Sequence, residues 1–343
     1  MKILIVAPSW VGDSVMAQSL YKIIKGSNSE NKIDVLAPQW SLDILNRMDE
    51  VENLICSPFG HGEVRIKDRI KFGRSLREKS YTQAIILTNS LKSSFVPFFS
   101  NIPRRTGWLG EMRFGFINDI RRVNKDRNKL MIEKFACLSG DALDKQDYKI
   151  PLPSLRVDSL NLLKLSENFG FDEHNKTLTI CPGAEFGPSK RWPANYFAEV
   201  IRDYLSKNWQ VFILGSKNDI VISKTIEDQV PKNDRELLFN FTGLTKIEEA
   251  IDLLSVSDLV LTNDSGLMHI AAAVDVKLLA LYGPTSPKFT PPLSKKAKII
   301  QKIEGFEKTR KGRLEEGYHP SLSMIHPSEV LESLLDLSKE IFN

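Results

Sequence analysis

The chain reads as an α/β protein built from two halves, each a parallel sheet covered by helices. Three observations predict this. Short apolar runs alternate with amphipathic stretches throughout. The rhythm stops at a polar, proline-bearing stretch, residues 145–175, and then restarts with a new apolar run. A length of 343 residues is long for one average domain and comfortable for two.

The first half opens with an apolar run at 3–6, expected as a buried strand. A helix is expected from Asp13 to Lys25, with Met16, Leu20, Ile23 and Ile24 on one face and Gly26 as its stop. Further strands are expected at 33–36, 53–56 and 84–87. In the second half, 177–181 is a strand ended by Pro182-Gly183, and Pro193 opens a helix to about Leu205. Strands follow at 210–214, 258–262 and 277–282. Thr245-Lys246-Ile247-Glu248 has the form of a capping box before a helix through Leu254. The last helix is expected from Pro327 to Phe342. The expected division is 1–165, 166–325 and a terminal helix, 326–343.

With 42% hydrophobic and 26% charged residues, both halves can bury a real core. Cys56, Cys137 and Cys181 are scattered, odd in number and without metal-ligand spacing, as expected of reduced thiols in a cytoplasm. No apolar run approaches the length of a spanning helix. The apolar start is too short for a signal peptide, and Trp10, Gly12 and Asp13 follow it without a clean cleavage site. The net charge of +4 hides an asymmetry. Residues 61–130 carry 16 Lys/Arg against 6 Asp/Glu, a balance of +10, so the rest sums to −6. Solvated helix faces or a surface for an acidic partner would both account for it.

In open parallel sheets, ligands sit beyond the carboxyl ends of the strands. Three loops there carry chemistry, and two facing halves would enclose a cleft. In Pro8-Ser9-Trp10-Val11-Gly12-Asp13, Gly12 permits a tight turn. Asp13 is either a helix N-cap or a general base. Pro182-Gly183-Ala184-Glu185-Phe186-Gly187-Pro188-Ser189-Lys190-Arg191-Trp192 is either a phosphate cradle or an exposed basic loop. In Thr262-Asn263-Asp264-Ser265-Gly266-Leu267-Met268-His269, the N–H groups of Ser265 and Gly266 at a helix start would seat a diphosphate, and His269 lies one turn on. Gly215-Ser216 ends another strand of the same half. There is no G-x-G-x-x-G after the first strand, no G-x-x-x-x-G-K-[ST], no D-x-D and no zinc-spaced His/Cys cluster. Those absences weigh against a nicotinamide dehydrogenase and a P-loop NTPase.

Taken together, the motifs resemble the ADP-heptose–lipopolysaccharide heptosyltransferases of glycosyltransferase family 9, the type II branch in particular. The likeness is carried by the opening residues 2–13, by Asn89-Ser90-Leu91-Lys92-Ser93 and by Arg105-Thr106-Gly107-Trp108-Leu109-Gly110-Glu111-Met112-Arg113. It continues through 181–192, 262–269, Tyr282-Gly283-Pro284-Thr285-Ser286-Pro287 and Gly317-Tyr318-His319, in order along nearly the whole chain. The resemblance implies a GT-B fold, two Rossmann-like domains facing a central cleft. It implies an inverting transfer without a catalytic metal or other cofactor. The second half would bind ADP-L-glycero-β-D-manno-heptose, and the first a lipopolysaccharide-core acceptor, heptosyl-Kdo-lipid A. By motif position, Asp13 is the implied base, with Lys190 as its catalytic partner. Donor contacts are expected at Gly183, Ser189, Lys190, Gly215, Ser216, Asp264, Ser265, Gly266 and His269. Acceptor contacts are expected at Ser9, Trp10, Lys92, Arg105 and Arg113. The basic first half suits an anionic acceptor on a membrane surface, so a cytoplasmic enzyme peripheral at the inner membrane is expected. Nucleic acid is not an expected partner, because aromatic-rich recognition motifs are missing. A relative using another donor or acceptor, or a non-catalytic nucleotide-sugar binder, is the alternative.

Overall fold

The computed structural model describes residues 1–60, 62–122, 129–140, 149–305, 307, 309, 312, 314 and 317–341. Parts of the basic segment (61 and 123–128), of the polar stretch (145–148) and Phe342 lie outside the described residues. The chain divides into two compact units, Met1–Pro153 and Ser154–Asn343.

The first unit holds β1 (Lys2–Val6), β2 (Lys32–Ala37), β3 (Asn53–Cys56), β4 (Gln83–Ile86), β5 (Arg104–Trp108) and β6 (Asp119–Arg121). They form one sheet in the order β3-β2-β1-β4-β5-β6. Every pairing is parallel. The second unit repeats the plan with β7 (Thr177–Cys181), β8 (Gln210–Ile213), β9 (Leu238–Asn240), β10 (Leu259–Asn263), β11 (Leu278–Tyr282) and β12 (Ala297–Gln301). Its order is β12-β11-β10-β7-β8-β9, again all parallel. Numbered within each unit, both orders are 3-2-1-4-5-6, the doubly wound plan. The strand order reverses between β1 and β4 in one sheet and between β7 and β10 in the other.

The central strands are buried on both faces because helices cover both. β7 and β10 are buried at every residue. In the first unit α1 (Val11–Ser27) is buried along most of its length, packed against α2 (Gln39–Leu45) and α5 (Met131–Ala136). The helix starts two residues before the expected Asp13. The sheet's other face carries a core of Leu4, Val6, Leu36, Ala84, Ile86, Val96, Ile102 and Ile117.

Three sequence expectations need correction. The capping box lies one residue later: α9 (Ile247–Ser255) has Lys246 at its N-cap, and the Lys246 N–H donates to Glu249 at 2.6 Å. Two successive glutamates fill the first turn, and Glu249 occupies the third helical position. Second, residues 154–165 go with the second unit. Leu155 N–H donates to the Ala273 carbonyl, and Asp158 N–H and the Asn161 amide both donate to buried Asp252. The two bonds to Asp252 tie the start of α6 (Ser159–Phe169) to α9. Third, the terminal helix α12 (Pro327–Lys339) is no separate part. Val330, Leu334 and Leu337, spaced along one face, are fully buried in the second unit's core beside α7 (Ala194–Ser206). Each contributes about 1.5–3 kcal/mol of burial. Pro327 suits the first helical position, where no backbone donor is needed.

Candidate functional site

In the first unit the chain leaves β1 through Ala7-Pro8-Ser9 and enters α1 at once. The N-cap is Trp10, and Ser14 N–H donates to its carbonyl at 2.9 Å. Asp13 is therefore the third helical residue, not the cap. Among the described residues its carboxylate has no hydrogen-bond or ion-pair partner. A helix N-terminus normally favours a carboxylate's charge. Here desolvation by burial prevails and pushes the Asp13 pKa up to about 6.

Asp13 lines a cavity of about 590 Å³ formed wholly within this unit. Ser9, Trp10 and Lys92 line it too, as expected, together with Trp40, Asn89 and Lys134. The loop after β4 supplies Asn89 and Lys92, so the cavity sits where the strand order reverses. Trp10 and Trp40 are about half exposed, and the Trp40 indole N–H donates to the Ser9 carbonyl at 3.0 Å. Such rings offer flat apolar faces against which a sugar ring can pack.

Arg105 and Arg113 do not line this cavity. Arg113 is only 2% exposed. Its guanidinium donates to the carbonyls of Thr88 and Trp108 at 2.7 and 2.6 Å and to Asn89 Oδ1 at 3.2 Å. Arg105 donates to the Phe116, Ile102 and Gly115 carbonyls and lies over the Phe98 ring. Both are internal straps. Arg113 fixes the cavity wall from behind, because Thr88, Asn89 and Trp108 all line it.

In the second unit the loop after β7 and the start of α10 (Gly266–Ala273) meet at the other reversal point. Lys190 Nζ lies 2.7 Å from Asp264 Oδ2. The same oxygen accepts from the Thr285 hydroxyl at 2.7 Å. Asn263 locks the loops together: its amide donates to the Pro182 carbonyl, and its side-chain oxygen accepts from Trp192 N–H. Ser265 is the N-cap of α10, and its hydroxyl is buried with no partner among the described residues. His269, one turn on, is buried. Burial pulls its pKa down to about 4, with Lys190 pushing the same way and Asp264 opposing. It is thus neutral at pH 7 and can offer an anion a hydrogen bond but no charge.

The other expected donor residues gather a few residues away around buried Asp219. Arg191 pairs with Asp219 at 3.2 Å, and the Ser216 backbone N–H and hydroxyl donate to it at 3.0 and 2.7 Å. Gly183 is required here, since a Cβ at that position would lie 2.5 Å from the Asp219 carboxylate. A side chain at Gly215 would also crowd Asp219. Ser189 is fully buried, with its hydroxyl given to the Thr309 carbonyl. The structure thus brings Lys190, Asp264, Ser265, Gly266 and His269 to one place. Gly183, Gly215 and Ser216 build the Asp219 knot beside it. Sequence reasoning gave no role to Trp40, Lys134, Asp219 or Thr285. Thr285 lies in the motif 282–287, whose position after β11, next to β10 in the sheet, is the signal that could have found it.

Comparison with known proteins agrees with this architecture. The family model of glycosyltransferase family 9 (heptosyltransferase) matches residues 69–319. The chain is 44% identical to lipopolysaccharide heptosyltransferase 2 of Salmonella typhimurium over 99% of both chains. The solved structure of E. coli ADP-heptose lps heptosyltransferase II superposes with a TM-score of 0.90 at 40% identity, covering 98% of each chain. A glycosyl transferase family 9 structure from Veillonella parvula shares the fold at TM-score 0.86 and 18% identity, covering 98% of this chain and 97% of that one. Two parallel six-stranded sheets with helices on both faces and this match make the fold GT-B. The chain belongs to glycosyltransferase family 9, the heptosyltransferases, and is a glycosyltransferase.

Proposed function

We propose that the protein transfers L-glycero-D-manno-heptose from ADP-heptose to heptosyl-Kdo-lipid A, with inversion, adding the second heptose of the lipopolysaccharide inner core. The observation that carries this reading is the 44% identity, end to end, to a lipopolysaccharide heptosyltransferase 2. In this reading the first unit takes the acceptor and the second the nucleotide sugar.

A sugar hydroxyl attacks only as its proton is removed, and Asp13 is the base. With its pKa raised to about 6, it is ionised at neutral pH yet more basic than an ordinary carboxylate. No backbone bond has to break before it accepts a proton. As the glycosidic bond breaks, ADP gains charge on its outer phosphate. The Lys190 ammonium and the N–H groups of Ser265 and Gly266 oppose that charge, and they stabilise it more as it grows. Lys190 leaves its pairing with Asp264 in part to do so, and neutral His269 adds a donor. No metal is needed in this scheme. Among the described residues no helix is long and apolar enough to cross a membrane. The basic character of residues 61–130 suits peripheral contact with the anionic cytoplasmic face of the inner membrane.

The test is ADP release from ADP-heptose with acceptors bearing zero, one or two heptoses, with competing nucleotide sugars and with EDTA present. Turnover only on the one-heptose acceptor, unaffected by EDTA, is expected. Preference for another donor or acceptor, or release without any acceptor, would overturn the assignment.

A further inference from the structure

The segment between β5 and β6 presents apolar side chains to solvent on a hydrogen-bonded turn. Met112 is 84% exposed, Phe114 64% and Leu109 45%. Glu111 and Met112 are successive non-glycine residues with φ of 43° and 48°, in the left-handed region that L side chains rarely adopt. The turn is nevertheless pinned from several sides. Buried Arg113 ties it to Thr88, Asn89 and Trp108. The Glu111 carboxylate accepts from Leu91 N–H at 2.7 Å. Phe116 packs on Phe95 and Phe98. An ordinary surface turn would place polar residues at its tips. Apolar tips held out by a strained, well-anchored turn mark a contact surface.

We propose that residues 109–116 form a membrane-docking wedge, with Leu109, Met112 and Phe114 entering the interfacial zone of an anionic bilayer beside the Asp13 cavity. Charge identifies the occupant. On the flanking strands Arg104 and Arg121 share the single carboxylate of Asp119, and exposed Arg122 directly follows β6, whose Arg121 carbonyl accepts from Leu109 N–H, so the turn's flank is net positive although Arg105 and Arg113 are internal. Apolar tips beside an excess of cations suit an anionic lipid interface. Position agrees, because the turn's anchor points Thr88, Asn89 and Trp108 are also cavity wall. The wedge is therefore anchored to the same loops as the cavity, to which the function proposed above would bring a lipid-borne acceptor, and in this respect it rests on that function.

The experiment compares the full chain with the double variant Met112→Gly, Phe114→Ser. Glycine suits the left-handed backbone at 112, and neither side chain lines the cavity. Sedimentation with phosphatidylethanolamine–phosphatidylglycerol vesicles reads docking. Turnover of a deacylated, water-soluble one-heptose acceptor reads the chemistry. Losing two inserted apolar side chains should lower the vesicle partition coefficient at least about tenfold. Melting temperature and turnover of the soluble acceptor should stay unchanged. Equal partition of both proteins, or a wild-type chain that does not sediment with vesicles, overturns the wedge. So does a matching loss on the soluble acceptor, which would make the turn part of the cavity. Wild-type failure on the soluble acceptor would instead count against the proposed function, while the vesicle arm still reads the turn.

Discussion

The two units share a strand plan and use it in opposite electrostatic ways. At the reversal point of the first sheet, Asp13 stands without a partner among the described residues, half-buried and reluctant to ionise. At the same point of the second sheet, the charged groups are satisfied: Lys190 by Asp264, Asp264 also by Thr285, Arg191 by Asp219. A proton acceptor is useful when nothing in the protein already occupies its lone pairs. A binding site for a highly charged ligand is useful when its donors are held in place beforehand. One scaffold supports both because the loops beyond the strand ends, not the strands, carry the difference.

Asp13→Asn tests the first half of this contrast and has the largest expected effect. The amide cannot accept the proton, so kcat should fall by about 10²–10⁴-fold with folding and ADP binding intact. A stability signature should accompany the loss. The folded pKa of about 6 lies above the unfolded 3.8, so the folded state holds the proton more tightly. Ionised Asp13 is thus a cost that is absent below about pH 4 and grows as pH rises to about 6, beyond which it is complete. The variant should be more stable than wild type at pH 7–8 by about 1–3 kcal/mol, with the gap closing toward pH 4. Equal stability across that range, by thermal or urea unfolding, would mean that Asp13 is not desolvated. Near-normal turnover would remove it as the base.

Lys190→Ala probes the second half. It removes a preorganised cation and leaves Asp264 without its ion pair, so kcat/KM should fall by about 2–4 kcal/mol equivalent. The double change with Asp264→Asn should cost less than the two single losses together, because the groups share one interaction. Simple additivity in that cycle would show that the pair does not act as a unit.

Thr285→Val has the smallest expected effect. It removes one hydrogen bond to Asp264, worth about 0.5–1.5 kcal/mol. Thr285→Ser should restore activity. The loss should appear in donor KM with the acceptor KM unchanged, which general loosening of the fold would not produce.

The sequence made the central strands legible because their burial on both faces leaves largely apolar runs, as in β1 and β11. It was silent on β6 and β9, which are three residues long and lie at sheet edges. β5 begins with two arginines and β12 carries Lys298 and Gln301 in a five-residue run, so neither stands out as an apolar core strand. Site residues divided in the same way. Asp13 was placed correctly beyond a strand end, yet the choice between cap and base depended on where the helix began, two residues earlier. The resemblance pointed to Arg105 and Arg113 as acceptor contacts, although a guanidinium bonded to buried carbonyls looks the same in sequence as one facing a ligand. Asp219 and Thr285 act through long-range pairs, with Arg191 and Asp264, that no local pattern encodes.

The docking of α12 has a consequence for how the protein is made. The first unit ends at Pro153, so all six of its strands have emerged from the ribosome while the second unit is still being synthesised. It can settle early. The second unit cannot, because Val330, Leu334 and Leu337 from α12 fill its core. Until α12 has been made and docked, that half carries an uncovered apolar surface. It is the half that chaperones would be expected to hold, and a late nonsense mutation would leave it permanently open to degradation.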